Sequence, residues 1–122
     1  MNCHLQLVAD TAVKTPEDVT RVDAEGVFDT LKVNLFKAGS VYKALQLVKA
    51  AKAAKWSVII GAEEHCNETN DDFMADFAVA VGAGQFSAGG FNSGECMCKY
   101  NRIMEILREH DTIPFAGRNF RG

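Results

Sequence analysis

The feature that most restricts this chain is a strand-like segment followed by a helix-like one, repeated four times at nearly constant spacing. The extended segments begin near residues 5, 28, 56 and 84, about 23 to 28 residues apart. That is the length of a unit in which a crossover helix returns the chain parallel to its previous strand. The expected class is therefore α/β, four consecutive βα units with parallel strands. About 250 residues make an eight-fold βα barrel, so four units are half of one. An open doubly wound sheet is the competing architecture, and the pattern alone does not separate the two.

Local signals mark each unit. The apolar run Leu5-Gln-Leu-Val-Ala9 stops at Asp10 and is followed by Thr15-Pro16-Glu17-Asp18. There Thr15 suits a helix cap, Pro16 the first helical position, and the two acids the positive end of the helix. Val19 and Val22 face inward before Gly26 closes the turn. Phe28 to Asn34 reads as the second strand, and Gly39-Ser40 opens a helix with Val41, Leu45, Val48 and Ala51 at helical spacing. Trp56 to Gly61 is the strongest strand, and Asn70-Asp71-Asp72 precedes a helix that aligns Phe73, Phe77 and Val81 before Gly82 and Gly84. After Gln85-Phe86-Ser87, Asn92 and Glu95 suggest a capping box, with Met97, Tyr100, Met104 and Leu107 as the inner face of the last helix. Lysines 43, 49, 52 and 55 read as the solvated face of their helix, and Trp56 as a residue packed under the helices.

With 122 residues, 48% apolar and 24% charged, the chain suits one domain over 1–122, with no linker to divide it. A formal charge of -3, with no basic stripe, argues against nucleic acid as a partner. No apolar run has the length of a membrane span and the first residues lack signal-peptide order, so a cytoplasmic location is expected. Cys3, Cys66, Cys96 and Cys98 are taken as free thiols in a chain able to build a core without staples. A zinc reading joins them to His4 and His65, but none of these pairs has the two-residue gap of a zinc knuckle.

Several stretches together resemble the enolases, the glycolytic phosphopyruvate hydratases. They are Leu5 to Asp10, Leu31-Lys-Val-Asn34, Gly39-Ser40, Glu68-Thr69 with Asp71, Phe73-Met-Ala-Asp76, Gly84-Gln85, Lys99-Tyr-Asn-Arg102 and the tail Phe115 to Arg121. The resemblance covers the C-terminal half of the family's barrel, its last four strands, and implies a TIM-type half barrel. The family's other barrel half and its capping domain have no counterpart in it. In that family three carboxylates hold magnesium, a lysine removes the α-proton of 2-phosphoglycerate, and a glutamate helps the hydroxyl leave. By resemblance Asp10 stands at a metal carboxylate and Lys32 at the base, both at carboxyl ends of strands, where a βα barrel keeps its chemistry.

The departures from the family pattern weigh as much. Its Ser-His-Arg-Ser-Gly loop is replaced by Gly61-Ala62-Glu63-Glu64-His65-Cys66-Asn67, two residues longer, which removes the arginine and serine that grip the substrate phosphate. Glu63 and Glu64 set negative charge where a phosphoester must sit, and His65 lies too far along the loop to be equated with the family histidine. Ser87 stands at the family's second active-site lysine. One metal carboxylate and one base remain, too few to hold magnesium well or to make the α-proton removable, so the lone chain is expected not to catalyse.

Three functional readings follow from this. The first is a non-catalytic half barrel, with a protein partner or a second copy covering its open strand edges and apolar inner face. The second is a contribution to magnesium-dependent hydratase activity once a partner chain or longer protein completes the barrel. The third is a zinc-binding remnant using Asp10, Glu63, Glu64, His65 and Cys66, set against the plainer reading of a solvated acidic loop. Much of the family's dimer contact involves the domain without a counterpart, so an oligomer would use a different surface.

Overall fold

The computed structural model describes residues 5–62, 69–90 and 92–120. Its sheet has four parallel strands, β1 (Val8–Ala9), β2 (Thr30–Val33), β3 (Ser57–Gly61) and β4 (Gln85–Ser87), in the spatial order β1-β2-β3-β4. The helices are α1 (Pro16–Asp23), α2 (Leu35–Ala38), α3 (Val41–Ala53), α4 (Phe73–Ala80) and α5 (Gly94–Glu109), and a 3-10 turn, Gly117–Asn119, follows. A doubly wound sheet reverses its strand order at a switch point, and this one does not reverse. Parallel strands in sequential order are the pattern of a barrel segment.

The core lies between this sheet and its helices. Leu31, Val33, Val58 and Ile60 point from β2 and β3 toward Val19 and Val22 of α1, Leu47 and Val48 of α3, and Phe77 of α4. Full burial of a side chain such as Ile60 is worth roughly 1.5 to 3 kcal/mol, so these four central positions carry much of the sheet's attachment. Trp56 is buried as expected, and its indole N–H donates to Asp23 Oδ1 at 2.8 Å.

The cap of α1 forms as its sequence implies. Thr15 accepts from the Asp18 N–H, Asp18 accepts from the Thr15 N–H, and Pro16 opens the helix. Elsewhere the apolar faces are displaced from the expected ones. In α3 the buried residues are Ala44, Leu47, Val48 and Ala51, whereas Val41 is exposed; in α4 Phe73 is exposed and Met74, Ala75, Phe77 and Ala78 are buried. In α5 the buried positions are Cys96, Lys99 and Ile106, while Met104 and Leu107 face outward. At about 100° per residue, positions 99 and 106 nearly coincide and 104 lies well round the helix. The lysine stem is apolar along its length, so Lys99 can lie buried once its ammonium finds acceptors. Ser93, not Asn92, caps α5, accepting from the Cys96 N–H.

Alternation along the strands leaves Thr30, Lys32, Ser57, Ile59, Gly61, Gln85 and Ser87 on the face away from the helices. That inner face was expected to be apolar, and it is mostly polar. In a closed barrel such a face surrounds the axis, where chemistry needs polar groups at the carboxyl end. The β1 side of the sheet carries exposed Leu5, Leu7 and Val8. At the start of β4, Gly84 lies against the backbone of Phe120, so close that a Cβ there would stand 3.0 Å from Phe120 Cα.

Candidate functional site

Parallel strands deliver their last residues to one end of the sheet, which gathers Asp10, Lys32, Gly61 and Ser87 there. Asp10 follows β1 directly, and Lys32 is the third residue of β2. The Lys32 ammonium lies 3.7 Å from Asp10 Oδ2, so the two residues matched to the family's machinery are brought together. Gly61, the last residue of β3, lets the lysine lie across it: a Cβ at this position would be 3.0 Å from Lys32 Cε and 3.4 Å from Ser87 Cβ. Lys32, Gly61 and Ser87 therefore share one patch of the inner face. Glu63, Glu64, His65 and Cys66, with Cys3 and His4, lie outside the described residues.

A second lysine enters this end from an element that strand and helix periodicity did not reveal. Immediately after β2, the side chain of Asn34 accepts from the backbone N–H groups of Phe36 and Lys37 at 2.9 and 3.3 Å, which starts the single-turn helix α2. Gly39, at φ 76°, ends it in the left-handed conformation that glycine adopts without strain. The turn carries Lys37 back over the end of β1, where its ammonium donates to Asp10 Oδ1 at 3.1 Å. The signal was present in the sequence as Asn34 and Gly39 bracketing four residues, a cap and a stop with no room between them for a periodic pattern.

Asn34 is 5% exposed, and its amide nitrogen has no hydrogen-bond partner among the described residues. It borders two cavities. One, of about 30 Å³, adjoins Asp10, Lys32 and Lys37 and has room for roughly one water. The other, of about 290 Å³, lies between α2, the end of β3 and the start of α4, with Phe36, Val41, Phe73 and Met74 as its apolar walls. Lys99 reaches this cavity from α5. It is 3% exposed and its ammonium donates to the carbonyls of Thr69 and Glu95, each at 2.6 Å.

The family described as "Enolase, C-terminal TIM barrel domain" matches residues 1–122. The chain belongs to that family. Among similar proteins, Enolase 1 of Entamoeba histolytica is 29% identical over 119 residues, a match covering 97% of this chain and 27% of that protein. The enolase of Solanum lycopersicum is 33% identical over 119 residues, covering 96% of this chain and 26% of the tomato protein. The chain thus spans about a quarter of the length of these relatives. Membership in the enolase barrel family agrees with the sequential parallel sheet and its polar inner face. Among the described residues no helix is long and apolar enough to cross a membrane.

Enolases generally use magnesium, an ion that takes near-octahedral oxygen ligands. The described residues do not fit it: they contain no group of three His, Cys, Asp or Glu side chains placed to hold a metal. At the strand ends Asp10 already faces an ammonium on each of its oxygens.

Proposed function

We propose that this chain is an enolase-type barrel segment that does not dehydrate 2-phosphoglycerate by itself. The observation that carries the reading is Ser87. It ends β4 beside Gly61 and Lys32, and the sequence resemblance matches it to the family's second active-site lysine. A hydroxyl there supplies no positive charge to an enolate forming near Lys32, and electrostatic stabilisation of that kind is usually the largest single contribution to such a step. A cytoplasmic location accompanies this reading. So does a partner-binding role, in which another chain or a second copy covers the strand edges around exposed Leu7 and Val8.

The test is a coupled assay of phosphoenolpyruvate formation with magnesium on the purified chain, beside light scattering on the same sample. A folded species with no turnover above the blank is the expected result. Turnover that disappears in Lys32→Ala would overturn the proposal.

A second reading, contribution to hydratase activity within a completed barrel, is favoured by the approach of Lys32 to Asp10 at the strand ends. Mixing this chain with a separately produced N-terminal portion of a related enolase tests it. Turnover that requires both chains and Lys32 supports this reading, and a stable but inactive complex removes it.

A further inference from the structure

We infer that Lys37 takes the place of a divalent cation on Asp10, so that this carboxylate is held by two ammonium groups and does not depend on a metal ion. The ammonium of Lys37 donates to Asp10 Oδ1 at 3.1 Å while that of Lys32 stands 3.7 Å from Oδ2, so both oxygens of the carboxylate face positive charge. The adjoining cavity of about 30 Å³ has room for roughly one water, so it is no enclosed chamber for an ion with the several waters that magnesium retains. An approaching dication is also repelled by the two ammonium groups already beside the carboxylate.

The arrangement is built into the backbone. Asn34, 5% exposed, fixes α2 through its two accepted hydrogen bonds, and Gly39 ends the helix after one turn, so Lys37 is delivered to the end of β1 by a short, capped element. Lys32 comes from the neighbouring strand and needs no such device. Asp10 thereby joins β1 to β2 and to α2, an electrostatic clasp on the short edge strand. The inference concerns the charge and metal affinity of this chain by itself, and its test reads ion binding and not turnover.

The experiment uses manganese(II), which substitutes for magnesium at oxygen sites and loses its free-ion paramagnetic resonance signal when bound. With the wild-type chain in excess, the free-ion signal is expected to stay unchanged. Asp10→Asn and Lys37→Met should each lower the melting temperature by about 1 to 4 °C at moderate salt. Loss of the manganese signal in the wild type that Asp10→Asn prevents would overturn the inference. So would a Lys37→Met chain whose melting temperature matches the wild type.

Discussion

Arg102 grips Asp76 across 26 residues of sequence, its Nε donating to Oδ2 at 3.0 Å and its Nη2 to Oδ1 at 2.9 Å, and so ties α5 to α4. The planar guanidinium meets the carboxylate with two parallel bonds, a geometry that lysine does not reproduce. The hydrogen bonds from Arg102 hold the Asp76 carboxyl below the ordinary aspartate value of 3.8, against a smaller opposing effect of burial.

The pH dependence follows from the direction of that shift. A carboxyl with a depressed folded-state pKa contributes stability that is fully present above its unfolded value and is lost as pH falls through the folded value. Asp76→Asn should therefore be less stable than the wild type at pH 7, with the gap closing as pH drops below about 4. Melting curves of the two chains from pH 7 to pH 2 check this, because the remaining carboxyls titrate in both and cancel in the comparison. A gap that stays constant with pH would show that the pair contributes nothing through its charge.

Two glycines should respond oppositely to the same substitution. At Gly84 an added Cβ would meet the Phe120 backbone, so Gly84→Ala must push the tail away or shift β4, at a cost of about 1 to 3 kcal/mol. At Gly94, the first residue of α5, a Cβ meets nothing within 4 Å, and alanine there should stabilise by about 0.4 to 1 kcal/mol through the unfolded chain. Urea midpoints measure both, and faster proteolysis of the tail in Gly84→Ala would locate the effect.

Trp56 is the chain's single tryptophan, so its fluorescence reports on one place. Asp23→Ala removes the acceptor of the buried indole N–H and should cost about 1 kcal/mol, while Asp23→Asn keeps an acceptor oxygen and should cost less. A fluorescence-monitored urea titration separates the two variants, and equal losses would mean that the hydrogen bond contributes little.

What was readable in the sequence is what depends on spacing over many residues. The four units, the Thr15-Pro16-Asp18 cap and the buried strand Ser57–Gly61 all repeat a local rule often enough to be seen. The candidate pair Asp10 and Lys32 was readable through family resemblance and its placement at strand ends, and the structure brings the two together. Lys37 was not, because α2 is a single turn whose cap, Asn34, also reads as the last residue of a strand. The inner face of α5 was misread because hydrophobicity favours Met104 and Leu107, whereas the buried positions are Cys96, Lys99 and Ile106, and a lysine is not an obvious residue to bury. The polar inner face follows from strand alternation only once the helices are known to lie on the opposite side of the sheet.

Lys99 offers a test of that misreading. Its stem is buried and its ammonium donates to the carbonyl of Thr69, whose hydroxyl accepts from the Asp71 N–H at 3.3 Å; the Asp71 carboxylate in turn accepts from the Phe73 N–H at 2.8 Å. This relay anchors the backbone that leads into α4. Lys99→Met keeps most of the apolar volume and removes the donor, leaving the Thr69 carbonyl to find another partner, so stability should fall by about 1 to 3 kcal/mol. The loss should also be local. Hydrogen exchange at the Asp71 and Phe73 amides should accelerate more than at Val58 and Ile60 in the central strand, since sub-global opening of a weakened anchor does not require the sheet to come apart. Uniform acceleration across both regions would instead mean that Lys99 supports the domain as a whole, and an unchanged exchange pattern would show that the stem alone, which methionine replaces, accounts for its burial.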